Sequence, residues 1–207
     1  NRVKELEAKG YTFEGADASV HLMILHASRG YCPPFKVLDY AAQVYDANMD
    51  SASRFADDDD QACTPGLGPT ARATVKVRTI NPDPPAFDPK NSHNDIELHQ
   101  EVLEVSDGNG PVDALANALM RALQPVHPFL RNIELVDYKV RILDPESATR
   151  ANTRVMIEFR DASTDSTWTT VSVDTNVISA SLNALIDGFE YALIEHAESC
   201  NLCEDAF

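Results

Sequence analysis

The sequence is short of positive charge: 17 Lys and Arg stand against 33 Asp and Glu, for a net charge of −16. Phosphate backbones and anionic lipid surfaces repel such a chain, so nucleic acid and membrane surfaces are not its expected partners. No apolar run approaches the roughly 18 residues needed to cross a bilayer, and no signal-peptide pattern opens the chain, which reads as a cytoplasmic protein. The six histidines, His21, His26, His93, His99, His127 and His196, include no His-x-His pair. There is no Gly-x-Ser-x-Gly elbow and no P-loop, so no catalytic residue, no metal ligand and no cofactor is assigned to this chain. The four cysteines supply one Cys-x-x-Cys, Cys200 to Cys203, without the second pair of a zinc ribbon, and residues 200–207 read as a tail.

Hydrophobic residues make up 43% of the chain, enough to bury a core. The sequence begins at Asn1 without an initiator Met, and Arg2 to Lys9 resembles the charged end of a helix. A piece of a longer protein is expected, with residues 1–30 as a helical linker segment. The run Asp57 to Asp60 lacks the spaced ligands and turn glycine of a calcium loop, and it reads as part of a solvated loop.

Self-similarity organises the rest. Phe35 to Asp46 (FKVLDYAAQVYD) matches Ile133 to Asp144 (IELVDYKVRILD) 98 residues later. Thr74-Val75-Lys76-Val77 returns as Arg154-Val155-Met156-Ile157 at an offset of 80, and Asn117-Ala118-Leu119 as Asn183-Ala184-Leu185 at 66. Shrinking offsets place two insertions in the first copy, at about 47–69 and 81–95, both rich in loop-forming residues. Each copy reads strand, strand, strand, helix. Strict alternation puts Val37, Asp39, Ala41, Gln43 and Tyr45 on one face of the first strand, with Leu38, Tyr40, Ala42 and Val44 on the other. Helical stripes follow, Val112, Leu115, Leu119 and Leu123 in one copy and Ile178, Leu182, Leu185, Phe189 and Ala192 in the other. The expected fold is α+β: tandem βββα units with pseudo-twofold symmetry, about 31–127 and 128–199. Three strands and one helix leave sheet surface bare, so a homodimer is expected on burial grounds.

The segment Asp107-Gly108-Asn109-Gly110-Pro111 stands between the third strand and helix of the first copy. Pro111 suits a first helical position, with Gly110 or Asn109 as cap. The glycines permit positive φ and close approach to a ligand, and a helix start attracts a carboxylate. A tight turn leading into a Pro-started helix accounts for the same residues without a ligand. The counterpart, Asp174-Thr175-Asn176-Val177, lacks both glycines.

Together, Lys4 to Ala18 (KELEAKGYTFEGADA), DGNGPVDAL, IELVDYKVRIL and WTTVSVDTNVISASLNAL resemble the C-terminal regulatory region of the citramalate synthase and 2-isopropylmalate synthase family. The resemblance spans most of the chain apart from the insertions and the end after Glu198. It implies a dimeric sensor of a branched-chain amino acid: isoleucine for citramalate synthases, leucine for isopropylmalate synthases. It also implies a separate TIM barrel where a divalent metal and acetyl-CoA serve condensation with a 2-oxo acid. Carried over by position, Gly108, Asn109 and Gly110 meet the effector's charged groups, while Val112, Leu135, Tyr138, Ile142, Thr175 and Val177 form its wall. For Leu135 and Tyr138, plain sheet packing is the competing account. Thr175 and Ile142 depart from the isopropylmalate type, and the KELEAKGYTFEGADA opening points to the citramalate type. A dimerisation module without ligand affinity remains open. An independent enzyme would need acid–base groups such as Asp39, Asp113 and Asp137 to converge, and the first and last read more simply as strand-edge or turn partners.

Overall fold

The computed structural model describes residues 2–45, 71–80 and 99–204. Two helices come first, α1 (Arg2–Ala8) and α2 (Asp17–Ala27). The first unit contains β1 (Phe35–Val44), β2 (Ala71–Ile80), β3 (His99–Gly108) and α3 (Pro111–Leu123). After a 3-10 segment, Pro128–Asn132, the second unit contains β4 (Ile133–Ile142), β5 (Thr153–Asp161), β6 (Ser166–Asp174) and α4 (Val177–Glu204). Both sheets are antiparallel, ordered β1-β2-β3 and β4-β5-β6. The two insertions and the Asp57 to Asp60 run fall outside the described residues.

The central strands carry the core. Ala71, Ala73, Val75 and Val77 alternate inward along β2, as Val155, Ile157 and Phe159 do along β5, and all are essentially inaccessible. Leu115, Leu119 and Leu123 of α3 and Leu185 and Phe189 of α4 meet them. A single apolar cluster runs through both units. Each fully buried side chain of this size contributes about 1.5–3 kcal/mol. α4 continues through Cys200 and Cys203 to Glu204, so the backbone expected as a tail is helical up to that residue. Its stretch Val177–Ala197 is long and apolar enough to cross a membrane, contrary to the sequence expectation. Its apolar residues instead face β5 and β6 in the core.

Strict alternation fails in the first strand of each unit, in the same place. A bulge interrupts the β1–β2 register between Val37 and Asp39, and another interrupts β4–β5 between Leu135 and Asp137. Each adds one residue and flips the facing of everything beyond it. Val37 therefore shares a face with Tyr40, Ala42 and Val44, opposite Val77, Val75, Ala73 and Ala71. In β4 the bulge aligns Leu135, Tyr138, Val140 and Ile142 opposite Phe159, Ile157, Val155 and Thr153. The aspartates sit at the bulges, accepting the next residue's N–H: Tyr40 N to Asp39 Oδ1 at 2.9 Å, and Tyr138 N to Asp137 Oδ1 at 2.8 Å.

The N-terminal helices dock on the second unit. Ser19 Oγ accepts the Val171 N–H at 2.9 Å, satisfying a group on the free edge of β6. Arg154 donates to the Gly10 carbonyl at 3.1 Å.

Gly188 shows how tightly α4 is seated. A Cβ there would lie 2.1 Å from the Phe159 ring, which stacks on Trp168 at 5.7 Å and meets Phe189 edge-on at 5.8 Å. Trp168 is itself pinned by donating to the Gly188 carbonyl at 3.1 Å. Gly188→Ala is predicted to destabilise the fold by about 1–3 kcal/mol despite alanine's better helix propensity, because the Phe159 ring has nowhere to move. Urea denaturation checks this, and unchanged or raised stability would contradict it.

Candidate functional site

The glycine turn closes the first unit where β3 hands over to α3. Gly108 is the position that must be glycine. A Cβ there would come within 2.4 Å of the Ala114 nitrogen and 2.9 Å of the Asp113 carbonyl carbon, both immovable backbone. Gly110 is the N-cap with φ −165 and ψ 172, an extended conformation open to any residue, and nothing lies within 4 Å of where its Cβ would be. The positive φ expected of these glycines is absent, since only Gly10, Gly15 and Gly30 among the described glycines have it. Close approach of β3 to α3 accounts for Gly108. Gly110 instead faces space that the chain leaves open.

Polar groups brace the turn. Asp107 accepts from Arg72 Nε at 2.7 Å and from the Tyr45 hydroxyl at 3.1 Å, and the Arg72 guanidinium holds its carboxyl below the usual range. Asp113 accepts the Asn109 N–H at 2.8 Å, while Asn117 Nδ2 reaches the Asp107 carbonyl at 3.3 Å. Arg72 and Asp107 are register partners on neighbouring strands, and Tyr45 joins them from beyond β1. Sequence reading gave Arg72, Tyr45 and Asn117 no role at the turn. The signal for Arg72 lies in strand register, a long-range quantity that a local motif does not carry.

The two helix starts differ in their capping. Asn176 caps α4, its Oδ1 accepting the N–H groups of Ile178 at 2.9 Å and Ser179 at 3.4 Å, while Asp174 accepts the Asn176 N–H at 2.7 Å. The start of α3 has no side-chain cap. Pro111 has no N–H to satisfy, and those of Val112 and Asp113 have no acceptor within the helix. An uncapped helix start with its partial positive charge favours a carboxylate.

The expected wall residues form a second group. Leu135, Tyr138 and Ile142 share one face of β4 because of the bulge, and they are 39%, 40% and 55% exposed. Tyr138 and Ser181 share a hydrogen bond of 2.8 Å, and Ser181 donates to the Val177 carbonyl at 2.6 Å. Tyr40, the counterpart on β1, reaches Ser179 at 2.8 Å. Both bare strands therefore flank the start of α4, where Val177 and Thr175 are exposed. Val112 lies on α3, partly buried against the core. The hydrogen bonds that brace the glycine turn run within the first unit, and those of Tyr138 run within the second. Apart from Val112, the two groups are built on separate units of the chain.

Asp39, Asp113 and Asp137 do not converge on a cleft. Each is engaged locally, and Lys139, 2.5 Å from Asp137, holds that carboxyl below its usual range. Among the described residues, no three His, Cys, Asp or Glu side chains gather as metal ligands.

The family model of the LeuA allosteric (dimerisation) domain matches residues 69–193, covering most of both units. The chain belongs to that family. It is 38% identical over 194 residues to an (R)-citramalate synthase of Synechocystis, covering 92% of this chain and 29% of that protein. The (R)-citramalate synthase of Geobacter sulfurreducens is 34% identical over 196 residues, covering 95% of this chain and 30% of the relative. A 2-isopropylmalate synthase of Aquifex aeolicus is 34% identical over 100 residues, 48% of this chain and 17% of its own length. The chain thus spans about three tenths of the length of its citramalate synthase relatives.

The strands left uncovered present apolar surface of the kind that favours association. Val136, Val140 and Ile142 on β4 and Val44 on β1 are 46–68% exposed, and both strands are sheet edges. Val140→Asp is predicted to leave the fold intact, since this side chain is half exposed, and to shift the protein from dimer to monomer. Light scattering across a concentration series measures this, and a variant of unchanged dimeric mass would remove β4 from the interface.

Proposed function

We propose that this chain is the amino-acid-sensing and dimerisation domain of an acetyl-CoA-dependent citramalate synthase, binding isoleucine as the end product that restrains the enzyme. The observation that carries this reading is the uncapped start of α3 facing open space at Gly110, beside a polar turn that Arg72 and Asp107 hold rigid. The isoleucine carboxylate takes the Val112 and Asp113 N–H groups, and turn carbonyls and the Asp113 carboxylate accept from its ammonium. Its branched side chain lies on Leu135, Tyr138, Ile142 and Val177, with Val112 closing the wall. Because the turn and the apolar strip are built on different units, dimerisation brings the turn of one copy to the strip of the other. The divalent metal and acetyl-CoA belong with a catalytic TIM barrel of the longer protein, and this chain provides regulation.

Isoleucine is preferred over leucine because citramalate synthases match nearly the whole chain, whereas the isopropylmalate synthase matches about half. Ile142 on the wall agrees with that choice, since a larger residue there shortens the space for a side chain branched further out.

Calorimetric titration with isoleucine and leucine tests the reading. Gly110→Val is predicted to keep the fold, because its backbone is extended and its Cβ has room, and to abolish binding by filling the space the ligand uses. Tyr138→Ala is predicted to weaken isoleucine binding by about 1–3 kcal/mol and to narrow the preference over leucine. Equal isoleucine affinity in wild type and Gly110→Val would remove the turn from the site. Absence of binding by either amino acid to the wild type would leave a dimerisation module alone.

A further inference from the structure

A second concave site lies away from the glycine turn, where the N-terminal helices close over the second unit. It is a cavity of about 490 Å³, within the range of small-molecule sites. Its wall is mostly apolar or aromatic: Leu6 of α1, Tyr11 and Phe13 of the connection, and Leu22 and Met23 of α2, with Val171 of β6 behind them. The Tyr11 and Phe13 rings stack with centroids 6.0 Å apart. Into this space α4 presents Asp187.

One turn further along α4, Glu190 is only 3% exposed, yet it is well satisfied. His26 Nε2 lies 2.6 Å from its Oε1, and the Tyr31 hydroxyl donates to the same oxygen at 2.5 Å. Asp187 is in the opposite situation. It has no hydrogen-bond partner among the described residues, and burial, reinforced by the neighbouring Glu190 charge, pushes its carboxyl up to about 7, with His26 opposing weakly. The titratable groups around it are Glu190 on α4, His26 on α2 and Tyr11 across the cavity, with Tyr31 bound to Glu190. A half-buried acid without a partner, on the wall of a cavity, is placed to meet a ligand.

The geometry points to a second ligand site, in which Asp187 holds the ammonium group of a monocationic, apolar-bodied amine inside the cavity between the N-terminal helices and the second unit. A cation supplies the charge that the Asp187–Glu190 pair lacks, and the apolar walls take the ligand's body. A zwitterionic amino acid does not fit this site: His26 is the one basic side chain in the lining and is already engaged by Glu190. The site goes beyond the amino-acid sensing proposed above and shares no residue with it. Because α1, α2 and α4 all contribute to the wall, an occupant fastens the N-terminal helices to the second unit.

The test uses the whole 207-residue chain with methyl-labelled methionine and n-hexylammonium as the probe, followed by NMR. The expected result is a saturable shift of the Met23 methyl, with Met120 and Met156 unmoved, and at least a tenfold loss of affinity in Asp187→Asn. Hexan-1-ol and isoleucine should leave Met23 unmoved at the same concentrations. Thermal unfolding supplies an independent reading of Asp187. The folded state holds its proton up to about pH 7 and the unfolded chain only to about pH 3.9. The native state therefore loses stability as pH rises between those values, and the loss is complete above the higher one. Asp187→Asn should raise the Tm at pH 8 by about 5 °C or more, and much less at pH 4. A silent Met23, equal amine affinity in Asp187→Asn, equal binding of the alcohol, or a variant less stable than wild type at pH 8 would each overturn the proposal.

Discussion

A helix about 10 Å across covers two strands spaced about 4.8 Å apart, and each unit of this chain has one helix for three strands. In both units the helix lies on the second and third strands, leaving the first as an edge strand with an exposed apolar face. That mismatch is the constraint from which the rest follows. A single chain reduces it by running its core through both units, yet Leu135, Tyr138, Val140 and Ile142 on β4 and Tyr40 and Val44 on β1 stay uncovered. On the reading proposed above, the apolar area that a second copy would cover also serves as the pocket wall for a branched side chain.

The two units diverge at their helix starts. The second helix start is closed by Asn176 and Asp174, as a helix with no other duty would be. The first has Gly110 in place of a side-chain cap, at a cost of about a few tenths of a kcal/mol, and leaves N–H groups open beside it. Asp187 is a further cost placed in a cavity wall, with its carboxyl raised by burial. Both sacrifices fall on helix positions that line open space, while the bulges, the central strands and the Gly188–Phe159 contact follow packing alone.

The repeat made most of the architecture legible, because two copies of one pattern constrain each other's register more than either does alone. The expected βββα order, the paired inserts and both helical stripes follow from that comparison. The facing of the first strands was not legible, since a bulge adds one residue without changing the residue types that alternation depends on. Aspartate at position 39 and again at 137 was its only mark. At the glycine turn, sequence indicated the location and the contrast between the units but misjudged the reason for the glycines: Gly108 is fixed by close contact with α3, and Gly110 by nothing inside the chain. Arg72, Tyr45 and the Asp187 cavity depend on which distant elements meet, and no local motif encodes that.

The central claim is that the effector site is completed between two copies, the glycine turn of one meeting the apolar strip of the other. It is tested most directly by co-expressing a chain disabled at the turn, Gly110→Val, with a chain disabled at the strip, Leu135→Ala with Tyr138→Ala, purifying the mixed dimer and titrating it with isoleucine. Neither parent dimer binds on this account. The mixed dimer should recover one wild-type site per dimer, because one of its two junctions unites an intact turn with an intact strip. A mixed dimer as inert as its parents would contradict the claim and place each site within a single chain.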